Sequence, residues 1–196
     1  MIREAKHPSG QIGVWGDSLV HGGNDLEHGG WVTRLKLYLM RRKLGDHVFD
    51  LGIGGNNSRD VLERIEAELY ARRLFIDYLL VSVGLNDLAY DIKLTTPDEF
   101  QANLAAIAAC VRNADKWLYL LTITPTNTVP ARTWEERNDI IRHVADISGA
   151  GIIDLSTCLP LEELPDGVHP TADGHEKIFR VVKDALIREG AILPEV

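Results

Sequence analysis

This 196-residue chain is short of cysteine, short of cations and without any long apolar run, and each shortage removes a class of function. Its two cysteines, Cys110 and Cys158, form no Cys-x-x-Cys pair and no zinc-ligand spacing. Neither a disulfide framework nor a zinc site is therefore expected, and both thiols read as unpaired in a reducing cytosol. Lys and Arg number 21 against 29 Asp and Glu, a formal net charge of -8. A phosphate backbone wants a cationic face, so nucleic acid is not an expected partner. The basic clusters Arg41-Arg42-Lys43 and Arg72-Arg73 each close a predicted helix, where cations suit the macrodipole. No apolar run approaches the roughly eighteen residues that cross a bilayer. The stretch Met1 to Pro8 has no apolar h-region, so no signal peptide is expected and the location reads as cytoplasmic.

What is present is an ordinary globular mixture, 45% hydrophobic and 26% charged, which argues against disorder. No linker, internal repeat or low-complexity stretch divides it, so residues 1–196 are expected to form one domain. Five short apolar runs, at 12–16, 47–51, 77–83, 117–123 and 151–155, read as parallel strands covered on both faces. Between them lie helical stripes, such as Phe100, Leu104, Ile107 and Val111, or Ile178, Val181, Val182 and Ala185. Thr96-Pro97-Asp98-Glu99 and Thr133-Trp134-Glu135-Glu136 read as capped helix starts. Gly149 and Gly190 stand where helices should end. The alternation implies a three-layer α/β/α sandwich around a five-stranded parallel sheet.

Four polar clusters interrupt this pattern. Gly16-Asp17-Ser18-Leu19 follows the first strand; Ser18 is either a nucleophile delivered to the carboxyl end of the sheet or a helix-capping turn residue. Gly52-Ile53-Gly54-Gly55-Asn56-Asn57-Ser58 follows the second, and its glycine amides could point at an anion. A dinucleotide fingerprint would need glycine at Asn57, and would follow the first strand instead. Gly84-Leu85-Asn86-Asp87 closes the most apolar strand; Asn86 could donate to an oxyanion or form an Asx-turn. Asp166-Gly167-Val168-His169 precedes the last helix. There a histidine could shuttle a proton while a carboxylate three residues earlier orients its ring. The alternatives are an Asp-Gly turn with a surface histidine, or a metal site built from Asp166, His169, Asp173 and His175.

Taken together and in order, these blocks resemble the GDSL, or SGNH, hydrolase family of esterases and lipases. Gly16-Asp17-Ser18-Leu19, Gly84-Leu85-Asn86-Asp87 and Asp166-Gly167-Val168-His169 match its blocks outright, spanning residues 16 to 169. The glycine block is matched at Gly55, with Gly54 as the other register. The resemblance implies a flavodoxin-like fold and carboxylic ester hydrolysis through an acyl-enzyme on Ser18. His169 would be the base, Asp166 its orienting carboxylate, and Ser18, Gly55 and Asn86 the oxyanion hole. The expected partner is a small-molecule ester, short-chain acyl esters first, with no metal or organic cofactor. An acyltransferase, carbohydrate deacetylase or thioesterase would use the same triad, and a non-catalytic binding module the same fold. Asp17, Leu19 and Asn127 are further candidates for substrate contact, Asp17 also as a loop brace. The two His-Gly-Gly stretches at 21–23 and 28–30 follow the serine, so they are not the preceding oxyanion motif of other esterases. They are expected to form a flexible rim, and Thr124 to Pro130 another wall.

Overall fold

The computed structural model describes residues 10–41, 46–89 and 93–194. The five apolar runs form β1 (Gln11–Gly16), β2 (His47–Gly52), β3 (Tyr78–Ser82), β4 (Trp117–Leu121) and β5 (Gly151–Ile153). All pair in parallel, in the order β2-β1-β3-β4-β5. The helices are α1 (Ser18–His21), α2 (Gly30–Arg41), α3 (Ser58–Arg72), α4 (Asn86–Ala89), α5 (Pro97–Asn113), α6 (Ala131–Ser148) and α7 (Ala172–Arg188).

The pleat sends alternate strand residues into two cores. Ile12, Val14, Tyr78 and Leu80 pack with Trp31 and Leu35 of α2 and Ile178 and Val182 of α7. Trp15, Leu79 and Val81 pack with Ile65 of α3, Phe100 and Ile107 of α5, and Ile141 and Val144 of α6. Because helices cover both faces, the inner strands β1, β3 and β4 are apolar along most of their length, whereas the edge strand β2 exposes His47 and Asp50. The fold is the expected three-layer α/β/α sandwich.

The strand order positions the site. From β1 the chain moves outward to β2, whereas from β3 it moves the opposite way to β4 and β5. The carboxyl ends of β1 and β3 therefore flank a topological switch point, where the diverging connections leave a crevice. Ser18 follows β1 and Asn86 follows β3.

Several local expectations shift by a few residues. Val83, Ile123 and Leu155 are buried like strand residues but lie beyond the ladder, in the loops that follow β3, β4 and β5. Their apolarity reflects burial rather than pairing. The Thr133 helix start is corrected: α6 begins at Ala131, with Pro130 as its N-cap at φ -55° and no side-chain cap. The Pro130 ring fixes the entry angle, and the Thr133 N–H already bonds the Pro130 carbonyl at 2.9 Å. At α5, Thr96 Oγ1 does accept from the Glu99 N–H at 3.1 Å. The Glu99 carboxylate turns instead to Arg59. Gly149 and Gly190 end their helices at positive φ, 70° and 72°. Arg41 and Arg72 close α2 and α3, while Arg42 and Lys43 lie outside the described residues. Both cysteines are unpaired, and burial pushes the Cys158 thiol up to about 12. Among the described residues no helix is long and apolar enough to cross a membrane.

Candidate active site

Ser18 is the first residue of α1, one position past the buried Asp17 that caps it. Asp17 Oδ1 accepts the Leu19 N–H at 2.9 Å, which turns the chain sharply off β1. Gly16 permits that turn, since a Cβ there would sit 2.4 Å from the Ser82 carbonyl oxygen. Leu19 is buried in the core with Trp15 and Val61. Asp17 and Leu19 thus contact the protein itself. Burial raises the Asp17 carboxyl to about 6.

Across the crevice, the turn before α7 brings His169 to the serine. His169 Nε2 lies 2.8 Å from Ser18 Oγ, and Nδ1 lies 2.7 Å from Asp166 Oδ2. The other carboxylate oxygen accepts the backbone N–H groups of His169 (2.7 Å) and Val168 (3.0 Å). Some desolvation acts to raise the Asp166 pKa, but these donors and the imidazole hold the carboxyl well below its ordinary range. A carboxylate facing Nδ1 selects the tautomer protonated there, leaving the Nε2 lone pair for the serine hydroxyl. Gly167 (φ 82°) closes the turn; a Cβ there would meet Asn127 Oδ1 at 2.0 Å. Asn127 therefore packs on the Asp166–His169 turn, with its residue surface exposed.

The second and third blocks meet through Asn86. Its Nδ2 donates to the Asn56 carbonyl at 2.9 Å and, more weakly, to Asp17 Oδ2 at 3.4 Å. Ile53 to Asn56 forms a tight turn closed by Asn56 N–H to Ile53 O, 3.1 Å. Gly55 takes its positive φ of 79°, a conformation that favours glycine. Gly54 is exposed and Gly55 half-buried.

Three supports of this arrangement were not legible as such. Asp87 is fully buried; it accepts Ser58 Oγ at 2.6 Å, Ser58 N at 3.0 Å and Thr95 Oγ1 at 2.8 Å. Burial raises its pKa. Asn57 forms a reciprocal capping box with Asp60 at the start of α3. Asp87 stands inside a quoted motif, but its partner Ser58 lies 29 positions away, whereas Asn57 and Asp60 form a local cap three residues apart. The third support is the loop after α1. The expected flexible rim is instead pinned: buried Asp25 accepts the N–H groups of His28 (3.1 Å) and Gly30 (3.0 Å) and pairs with Arg34.

His175 lies inside α7 and is buried, with Nε2 2.9 Å from the Gly23 carbonyl oxygen rather than beside Asp166. Among the described residues no group of three or more His, Cys, Asp or Glu side chains is arranged around a metal position.

The sequence model of the GDSL-like Lipase/Acylhydrolase family matches residues 14–177, a span that holds every one of these site residues. The chain belongs to this family. It is a carboxylic ester hydrolase. An acetylxylan esterase of Geobacillus stearothermophilus is 27% identical over 166 residues, covering 75% of this chain and 73% of that protein. The crystal structure of that organism's acetylxylan esterase Axe2 superposes with a TM-score of 0.74 at 24% identity, over 92% of this chain and 94% of that one. LAE5, an alpha/beta hydrolase enzyme from the metagenome of Lake Arreo, gives a TM-score of 0.78 at 22% identity, over 99% and 100% of the two chains. At these identities the two structures speak for the fold. Structures described as catalytic mutants of Axe2 replace a serine, an aspartate and a histidine, the last two three positions apart.

Proposed function

We propose that this GDSL-family hydrolase cleaves short acyl esters, acetyl esters first, through an acyl-enzyme on Ser18. The observation that carries the reading is the unbroken run of contacts from Ser18 Oγ to His169 (2.8 Å) to Asp166 (2.7 Å). The matching trio of residue types in the catalytic mutants of Axe2, with the same aspartate–histidine spacing, supports it.

In this mechanism Ser18 Oγ attacks the acyl carbonyl carbon while its proton passes to His169 Nε2. Asp166 holds the imidazole in the required tautomer and stabilises its charged form. The developing oxyanion sits on the backbone N–H groups of Ser18 and Gly55 and on Asn86 Nδ2. Of the two Asn86 protons, the one held only at 3.4 Å is the more readily turned to a substrate oxygen. Collapse expels the alcohol, which leaves with the proton from His169. Water, deprotonated by the same nitrogen, then attacks the acyl-enzyme and releases the acid. Asp17 and Leu19 support the nucleophile from behind, and Asn127 contributes to the rim beside His169.

A second reading places the ester on a carbohydrate, making the enzyme a sugar deacetylase. It is favoured by the acetylxylan esterase relative at 27% identity. Both readings are tested with p-nitrophenyl acetate, butyrate and octanoate beside acetylated xylooligosaccharides, with Ser18→Ala as control. The proposal expects acetate to exceed octanoate and Ser18→Ala to be inactive. Wild-type turnover by Ser18→Ala refutes it, and release of acetate from the oligosaccharide selects the second reading.

A further inference from the structure

Gly23 and Asn24 together touch all three members of the proposed triad. The Gly23 N–H donates to the Ser18 carbonyl at 2.8 Å. Its Cα lies flat against the histidine, because a Cβ there would stand 2.8 Å from His169 Cδ2. Gly23 is therefore demanded by close approach and not by a positive φ. Asn24 does adopt positive φ, 70°, a conformation that asparagine tolerates better than most residues. It aims Nδ2 at Asp166 Oδ2, 3.3 Å away, the same oxygen that faces His169 Nδ1.

This dipeptide is clamped from beneath. The Gly23 carbonyl accepts from His175 Nε2 at 2.9 Å, so the buried imidazole must carry its proton there. His175 Nδ1 is buried without a hydrogen-bond partner among the described residues. A second proton would have no acceptor, and burial lowers the His175 pKa. The charged and titratable groups facing it are Asp25, Arg34 and His169. Arg34 links the loop to the start of α7 by donating to the Ala172 carbonyl at 3.1 Å.

We propose that Gly23-Asn24, locked by His175, is a positioning element that holds His169 in line between Ser18 and Asp166. The inference rests on the triad reading above. His175 and Asn24 touch no reacting atom, so they are positioning residues. Their loss should lower kcat and leave KM nearly unchanged, since the ester is still bound but meets a disordered base.

The test compares His175→Leu, His175→Gln, Asn24→Gly and His169→Ala on p-nitrophenyl acetate, with thermal unfolding of each. A net hydrogen bond sets the scale, so His175→Leu should cost about tenfold in kcat. His175→Gln, whose amide can reach the same carbonyl, should restore most of it. Asn24→Gly keeps the backbone conformation and removes the amide, and should lose roughly threefold in kcat. It should also move the acid limb of kcat/KM to higher pH, because Asp166 then offers its charge undivided to the imidazolium. Wild-type kcat and pH profile in both His175→Leu and Asn24→Gly, with His169→Ala inactive, overturn the inference alone. An active His169→Ala overturns the triad reading and this inference with it. Should His175→Leu fail to fold, Asn24→Gly and His175→Gln decide.

Discussion

Ser58 and Asp87 are joined at two points, hydroxyl to carboxylate at 2.6 Å and backbone N–H to carboxylate at 3.0 Å. This pair ties the loop after β2 to the loop after β3, and so fixes Gly55 relative to Asn86. Thr95 Oγ1 adds a third donor at 2.8 Å, and Asn103 Nδ2 holds Ser58 Oγ at 3.0 Å. Asp87→Ala strands three buried donors, each costing about 1–3 kcal/mol when unpaired. The expected outcome is a destabilisation of at least about 3 kcal/mol in urea unfolding. A variant within about 0.5 kcal/mol of wild type would show the tie to be dispensable.

Asn86→Ala tests the proposed oxyanion hole. Removing one such donor typically costs about 3–4 kcal/mol of transition-state stabilisation, or a 10²–10³-fold drop in kcat. KM should change little, because the bond strengthens only as charge develops. A rise in KM at constant kcat would assign Asn86 to ground-state binding instead.

Asp166→Asn should reduce kcat by roughly 10³–10⁴-fold while binding is retained. An amide facing His169 Nδ1 would present its N–H to the ring, selecting the tautomer that cannot accept the Ser18 proton. The side chain is about half exposed, at 47%, so unfolding temperature should barely move. Activity near wild type would remove Asp166 from the mechanism.

Asp17 links stability to pH with a definite sign. Burial raises its carboxyl to about 6 from 3.8, so between these values the folded protein binds more protons than the unfolded chain. Its contribution therefore weakens stability as pH rises through about 4 to 6 and is constant above. Two pKa units correspond to about 3 kcal/mol. An asparagine in its place would cap Leu19 equally well but carries no charge. The stability of Asp17→Asn relative to wild type should thus climb between pH 4 and 6 and then level off. Its kcat should fall, because an amide there opposes the Asn86 amide. A stability difference flat from pH 4 to 8 would contradict the assignment.

Much of this was legible in the chain because the signals are local. Short apolar runs marked the strands, and Ser18, Asn86, Asp166 and His169 stand at their ends or just before a helix. The misreadings have local causes too. Thr133 looked like a cap, but Pro130 three residues earlier sets where α6 begins. Ile123 and Leu155 looked like strand, because burial against helices and burial within a ladder select the same side chains.

By itself, the sequence determined the layered α/β class, the family and the residue types from which the site is built. Each follows from periodicity or from motifs a few residues long. Only the tertiary structure decided the strand order β2-β1-β3-β4-β5 and the switch point it creates. Only it brought His169 to Ser18 across 151 positions and set His175 under Gly23 across 152. Side chains so far apart in the chain carry no mutual signal in composition or spacing. Their meeting depends on how whole helices pack on the sheet.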